Sequence, residues 1–232
     1  FLLKGWWGKA LWIDLSSNEI KTWEYPKELA RDFIGGRGFA VKILWDFLKP
    51  GVDPLSPDNI LIFAAGPLTG IAINSGKLVV ASKSPLTGGY GDGNIGSPVA
   101  VSLRKAGYDA IIVVGKSPKP SYIYVENGRA YILNAEGLWG TTTSECEKRL
   151  KEIHGAGTAV VCIGPGGENK VRYATVVSQG GRSGGRPGIG AVMGSKNLKA
   201  LAVIGEGDIP VADRKAVQTL LSDSIKDLRS KE

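Results

Sequence analysis

Two glycine-rich stretches carry most of the chemistry this chain can offer. They are Gly88-Gly89-Tyr90-Gly91-Asp92-Gly93-Asn94-Ile95-Gly96 and Gly180-Gly181-Arg182-Ser183-Gly184-Gly185-Arg186-Pro187-Gly188-Ile189-Gly190. Glycine lets a backbone take positive φ and approach a ligand closely. Each stretch reads as a loop between an apolar strand and a short helical segment. Backbone N–H groups at such a helix start favour an anion. Arg182 and Arg186 add guanidinium groups suited to bidentate contact with phosphate. Asn94, set among glycines, reads either as an oxygen ligand for a phosphate-bridging Mg²⁺ or as a left-handed turn residue. Lys77 reads as a phosphate cation or a strand-edge lysine, and Gly35-Gly36-Arg37-Gly38 as an anion nest or a helix-to-helix turn. Two such loops in one domain point to a ligand with several phosphates, or a cofactor held from two sides.

Several familiar chemistries are excluded. No Gly-Lys-Ser or Gly-Lys-Thr follows a glycine loop, so neither is a P-loop, and neither fits the dinucleotide fingerprint. No nucleophile–base pair stands out. The single histidine, His154, reads as solvated at a polar helix end. Cys146 and Cys162 lie in different elements and form no C-x-x-C, which argues against zinc or an iron–sulfur cluster built by this chain. They favour a reduced, cytoplasmic setting over a disulfide.

Charge and composition place the chain among globular proteins with an anionic partner. It has 232 residues, is 43% apolar and carries a formal net charge of +7. Its basic residues are scattered rather than clustered, which disfavours nucleic acid as the partner. Trp6, Trp7 and Trp12 read as packing residues rather than base-stacking platforms. No apolar run approaches the roughly 20 residues of a membrane span, and Phe1-Leu2-Leu3-Lys4 is too short for a signal-peptide core.

The elements that must position these residues follow from periodicity and breakers. Strands are expected at 10–15, 20–23, 60–65, 77–81, 110–114, 121–125, 130–133, 158–163, 171–178 and 201–204. Asn127-Gly128 marks a hairpin turn. Helices are expected from Pro26 to Phe33, 39–48, 98–106, from a Thr142 or Thr143 cap through Ile153, and over 190–197 as a short piece. An amphipathic helix runs from Ala212 to Glu232 with no following cap, so a further helical domain is expected from residue 211 onward. Strands outnumber helices and include hairpins, which predicts an α+β fold.

A weak internal repeat organises these elements. Ile60–Ala65 with Gly66-Pro67 resembles Val160–Ile163 with Gly164-Pro165, and Leu78–Ser82 resembles Ala174–Ser178. Ile95-Gly96, Lys105-Ala106 and Ile111–Gly115 resemble Ile189-Gly190, Lys199-Ala200 and Leu201–Gly205. The expected architecture is two mixed β-sheet half-domains related by a pseudo-twofold, with helices outside and both glycine loops facing one ligand.

Longer strings carry a family resemblance. They are Trp7-Gly8-Lys9-Ala10-Leu11-Trp12-Ile13-Asp14-Leu15-Ser16, Phe33-Ile34-Gly35-Gly36-Arg37-Gly38, Asp53-Pro54-Leu55-Ser56-Pro57-Asp58-Asn59 and Gly66-Pro67-Leu68-Thr69-Gly70. Lys83-Ser84-Pro85-Leu86-Thr87-Gly88, Ala106-Gly107-Tyr108-Asp109-Ala110 and Gly190-Ala191-Val192-Met193-Gly194-Ser195-Lys196-Asn197-Leu198-Lys199-Ala200 continue it. In this order they resemble the N-terminal domain of the aldehyde ferredoxin oxidoreductases, tungsten–pterin enzymes.

The resemblance implies that residues 1–210 form the base for tungstopterin, two molybdopterin dithiolenes with tungsten or molybdenum between them and a Mg²⁺ bridging their phosphates. It places cofactor contacts at Lys77, Asn94, Ile95, Gly96, Ser183, Gly184, Gly185 and Arg186, and Mg²⁺ oxygens at Asn94 and Gly184. Lys77 stands where the family more often has Arg, and Ile95 replaces a small polar residue. No catalytic residue is carried over. The [4Fe–4S] cysteines and acid–base residues would belong to later helical domains of the same enzyme. The implied partners are an aldehyde and ferredoxin, and a homodimer is compatible with the resemblance. The isolated chain is expected to be inactive. The competing reading is a non-catalytic pterin- or nucleotide-phosphate-binding module or scaffold subunit.

Overall fold

The computed structural model describes residues 4–230. A first hairpin, β1 (Lys9–Asp14) and β2 (Glu19–Glu24), leads into helices α1 (Lys27–Phe33) and α2 (Arg37–Phe47). Strands β3 (Leu61–Ala64), β4 (Lys77–Lys83) and β5 (Tyr90–Gly96), helix α3 (Pro98–Lys105) and strand β6 (Ala110–Val114) complete one half. The second half repeats the plan. It contains hairpin β7 (Ser121–Glu126) and β8 (Arg129–Asn134), helix α4 (Thr143–His154), strand β9 (Ala159–Cys162) and a single turn, α5 (Pro165–Glu168). Strands β10 (Val176–Ser178) and β11 (Arg182–Gly184), helix α6 (Ile189–Ser195) and strand β12 (Leu198–Ile204) follow, and then helix α7 (Arg214–Arg229).

The duplication is explicit in the sheets. One has the order β2-β1-β6-β3-β4-β5 and the other β8-β7-β12-β9-β10-β11. Each first strand runs parallel to the sixth, and every other pairing is antiparallel in both. Side-chain detail repeats too. Ser82 on β4 donates to the Ile60 carbonyl, and Ser178 on β10 donates to the Val160 carbonyl. The Leu78–Ser82 and Ala174–Ser178 equivalence therefore holds. The later equivalences slip, because Ile189 starts α6 while Ile95 lies inside β5, and Lys199 lies within β12 while Lys105 ends α3.

Two-residue alternation splits each strand between two cores. Leu11, Ile13, Leu61, Phe63, Ile111 and Val113 meet Ile123, Val125, Val161, Leu201 and Val203 in a shared inner core. Ala10, Ile62, Ala64 and Ile112 face α1 and α2 on one outer side. Tyr122, Tyr124, Val160, Cys162, Ala200 and Ala202 face Cys146 and Leu150 of α4 on the other. Burial on both faces explains why these strands read as unbroken apolar runs. Helices α1, α2 and α4 lie outside as expected. Helices α3 and α6 instead sit between the sheets, because Val99, Ala100, Leu103, Val192 and Met193 all belong to the inner core. A buried lysine ties the halves together: the Lys196 ammonium donates to the carbonyls of Pro57 and Gly115, and burial lowers its pKa to about 8.

Local signals set most boundaries. Thr142 caps α4 by accepting from Glu145 N, and Ser97 caps α3. Asn127 and Gly128 both have positive φ, as a tight hairpin turn requires. The strand expected over 171–178 shrinks to β10, because Val171 and Ala174 close turns onto Gly166 and Val171 instead. Pro26 is the N-cap of α1 rather than its first residue. Helix α7 starts at Arg214 behind an Asp213 cap and buries none of its residues. The Phe1–Leu3 and Lys231–Glu232 ends of the expected segments lie outside the described residues.

Candidate functional site

The two glycine stretches are not loops. They contain the edge strands β5 and β11, one at the rim of each sheet. In the first sheet Lys77 lies opposite Gly96, Leu78 opposite Ile95 and Val79 opposite Asn94. In the second, Ser183 lies opposite Val177 and Gly184 opposite Val176. The two edges then press backbone against backbone. A Cβ at Gly93 would collide with the amide nitrogen of Gly185. One at Gly184 would come within 2.7 Å of Ile95 Cγ1 and 3.3 Å of the Asn94 carbonyl oxygen. Gly91 faces Pro187, and Gly96 faces the Arg182 guanidinium. Numbers rise along one strand as they fall along the other, so the edges cross in opposite senses with Asn94 and Gly184 at the centre. Glycine is needed here because any side chain would separate the two halves.

This crossing gathers the expected positions onto one surface. Lys77, Asn94, Ser183 and Arg186 are exposed, and Gly96 and Gly184 are half-buried. The Asn94 side chain has no hydrogen-bond partner among the described residues. Lys77, Arg182 and Arg186 form no ion pair among them. A hard-anion ligand is the chemical complement of that set: three uncommitted cations around an uncommitted amide. Ile95 departs from the expectation, because its side chain is fully buried in the inner core. Only its backbone can meet a ligand. Gly185 is buried as well.

Neither stretch opens a helix with free amides, contrary to the expectation of an anion at a helix start. Helix α6 is buried from Ile189 to Ser195, and the Gly188, Ile189 and Gly190 amides are taken by Gly185 and Ala174 carbonyls. Helix α3 is closed by the Ser97 cap. Binding must rest on edge-strand backbone and side chains.

The third glycine motif joins the same surface. Gly36 lies against Val79, the ladder partner of Asn94. Arg37 forms a two-pronged ion pair with Asp92, which also accepts from Tyr90 Oη at 2.9 Å. Burial and the Asp92 contact push the Tyr90 phenol up. Arg37 and Asp92 are separated by 55 positions, so their pairing carries no sequence signal. A second missed constellation sits on the far end of α3. The Asp109 carboxylate accepts from Trp7 N, Gly8 N, Tyr25 Oη and the Arg104 guanidinium. It anchors the N-terminal segment rather than a ligand.

His154 is not solvated. It stacks on Tyr124 at 3.8 Å between centroids and bonds Tyr122 Oη through Nε2 at 2.9 Å. Burial lowers its pKa below the usual 6.5. The folded state therefore resists the proton that the unfolded chain accepts. Stability from this group is complete above about pH 6.5 and drains as pH falls below it. His154→Phe should flatten that acid slope in urea titrations between pH 7.5 and 5.5. An unchanged slope would show that His154 does not contribute to it.

The family profile described as "Aldehyde ferredoxin oxidoreductase, N-terminal domain" matches residues 10–205. The chain belongs to the aldehyde ferredoxin oxidoreductase family. It is 44% identical to the tungsten-containing aldehyde ferredoxin oxidoreductase of Pyrococcus furiosus over 97% of this chain and 38% of that protein. It is 38% identical to the "aliphatic sulfonate oxidoreductase, WOR-like subunit" of the same organism, over 96% of this chain and 38% of that protein. Among solved structures, the active site complex BamBC of benzoyl coenzyme A reductase with 1,5-dienoyl-CoA superposes with a TM-score of 0.92 and 37% identity. That match covers 98% of this chain and 35% of the other. The family member described here thus spans little more than a third of the length of these relatives. Among its described residues, no group of three His, Cys, Asp or Glu side chains could hold a metal, and no helix is long and apolar enough to cross a membrane.

Proposed function

We propose that this chain is the floor on which the phosphorylated metal–pterin cofactor of a tungsten or molybdenum oxidoreductase rests. The observation that carries the reading is the crossing of β5 and β11, which sets the free amide of Asn94 beside Gly184 with Lys77, Arg182 and Arg186 unpaired around them. Lys77 acts as a point charge toward phosphate, and Arg186 as a fork. Asn94 Oδ1 and the Gly184 carbonyl are hard oxygen donors for a Mg²⁺ between phosphates. Gly96, Ser183, Gly185 and the Ile95 backbone supply the surface between them. The cofactor, when bound, supplies the two-electron redox chemistry, and the chain supplies position and charge.

The longer enzyme would oxidise an aldehyde with water to a carboxylate in the cytoplasm, with ferredoxin as the acceptor of the two electrons, and a [4Fe–4S] cluster would supply the electron path between them. That cluster and the substrate pocket belong to the part of the enzyme beyond residues 1–210. The relatives' names support this division. An aldehyde enzyme, a sulfonate enzyme and a benzoyl-CoA reductase all resemble this chain over nearly its whole length. Their named substrates differ while the likeness to this chain stays, which supports a floor that serves the cofactor and other parts that serve the substrate. Helix α7, with none of its residues buried, begins the next domain.

A direct test is aldehyde-dependent reduction of a low-potential dye or ferredoxin. The longer enzyme should support it, and the isolated chain supplied with cofactor should not. Turnover by the isolated chain would overturn the division of labour. A longer enzyme that binds metal and pterin yet reduces no acceptor would favour a non-catalytic, scaffold role.

A further inference from the structure

Cys146 and Cys162 form a paired site on the outer face of the second sheet, beneath α4. Sequence separates them, but α4 packs its first turns on the outer face of β9. The Thr142 cap fixes that end of α4, with Cys146 N bonded to the Thr142 carbonyl at 2.9 Å. Cys162 closes β9, where its backbone neighbours are Ala200 and Val177. Its Sγ reaches the Thr143 carbonyl at 3.5 Å, in the same helical turn that presents Cys146. The two thiols belong to one buried cluster between α4 and the sheet, at 0% and 1% exposure. Neither is part of a disulfide.

The surroundings separate their reactivities. The Lys199 ammonium is held nearby by the Thr141 carbonyl, at 2.9 Å, and by the Glu168 carboxylate. The Cys162 S–H and that ammonium hold the Cys146 thiol below its usual range. The contact with Cys146 and burial push Cys162 up. Cys146 is thus the more easily ionised of the two thiols, and Cys162, in the same cluster, is placed to act as the resolving group in thiol–disulfide exchange.

We propose that Cys146 and Cys162 are a closable dithiol, oxidised by small disulfides to a bond that ties α4 to β9. The Cys146 thiolate attacks one sulfur of the small disulfide, releasing one thiolate and forming a mixed disulfide. Cys162 gives its proton to the released thiolate and attacks Cys146 Sγ, releasing the second thiol. Two cysteine S–H bonds are lost, one S–S bond forms, and one small disulfide is reduced to two thiols. Access comes through local opening of the exposed first turn of α4, which costs less than global unfolding.

The test uses the native chain and 2-hydroxyethyl disulfide, followed by quenching, denaturation and alkylation. The expected product has lost two hydrogens, takes up no alkylating agent and yields a linked Cys146–Cys162 peptide. Dithiothreitol should restore both thiols. Cys162→Ser should stop at the mixed disulfide on Cys146, and the wild-type mass decides the matter if that variant does not fold. Two alkylated cysteines under conditions that fully oxidise the urea-unfolded chain would overturn the proposal. So would a stable mixed disulfide on the wild type, or linkage between chains.

Discussion

Asp109→Asn should destabilise the chain by about 3–5 kcal/mol, the usual cost of removing one partner from a buried ion pair. Arg104 and Asp109 have side-chain exposures of 0% and 2%. In the variant the guanidinium remains buried without its counter-charge. It is already only partly satisfied, because its Nε has no partner among the described residues. The same carboxylate holds Trp7 N at 2.8 Å, Gly8 N at 2.9 Å and the Tyr25 hydroxyl. An amide can accept only some of these bonds and cannot balance the charge. Arg104 Nη2 also donates to the Gly5 carbonyl, so the N-terminal segment should loosen with the pair. Urea unfolding measures the loss, and hydrogen exchange at Trp7 and Gly8 locates it. Arg104→Met strands the carboxylate but leaves its bonds from Trp7 N, Gly8 N and Tyr25 Oη in place, so it should cost less than Asp109→Asn. Equal costs would mean that the ion pair, lost in both variants, outweighs the carboxylate's other bonds.

Gly93→Ala should be the most damaging change on the candidate cofactor surface. A methyl group there overlaps the Gly185 amide, and backbone, unlike a flexible side chain, cannot swing aside. Either β5 leaves β4 or the two halves part at their rim. Overpacking of this kind reaches about 3 kcal/mol. Gly89→Ala is the control from the same stretch. Its nearest neighbour would be Thr87 Oγ1 at 3.9 Å, so its effect should stay within about 0.5 kcal/mol. Guanidinium unfolding of the two variants checks the contrast. Equal stability would mean that β5 and β11 do not pack in contact.

The same glycines show what sequence could and could not reveal. Apolar runs such as Ala110–Val114 announced their strands, and Asn127-Gly128 and Thr142 announced a turn and a cap. The repeat at Ser82 and Ser178 was legible because both serines keep the same backbone partner in equivalent strands. The β5 stretch did not announce a strand, since glycine and aspartate are poor strand formers. A glycine-studded strand is nonetheless the mark of close backbone approach, and Gly91 and Gly93, two residues apart on one face, are the available clue. Position on the candidate site was legible for Asn94 and Arg186, which stand exposed at the crossing. It was not legible for Arg37, whose partner Asp92 arrives through folding. The seating of His154 between tyrosines is likewise tertiary, because Tyr122 and Tyr124 come from another element. The dithiol is invisible in sequence for the same reason: only the packing of α4 on β9 brings Cys146 to Cys162.

The central claim is that the β5–β11 crossing holds a metal–pterin cofactor through Asn94 and Arg186. Tungsten, molybdenum and pterin content of the purified longer enzyme tests it most directly, with Asn94→Ala and Arg186→Ala prepared alongside and their folding checked by circular dichroism. The account predicts metal and pterin in the unaltered enzyme and their loss from both folded variants. An unaltered enzyme without tungsten, molybdenum or pterin under metal-replete expression, or folded variants that keep the full complement, would contradict it.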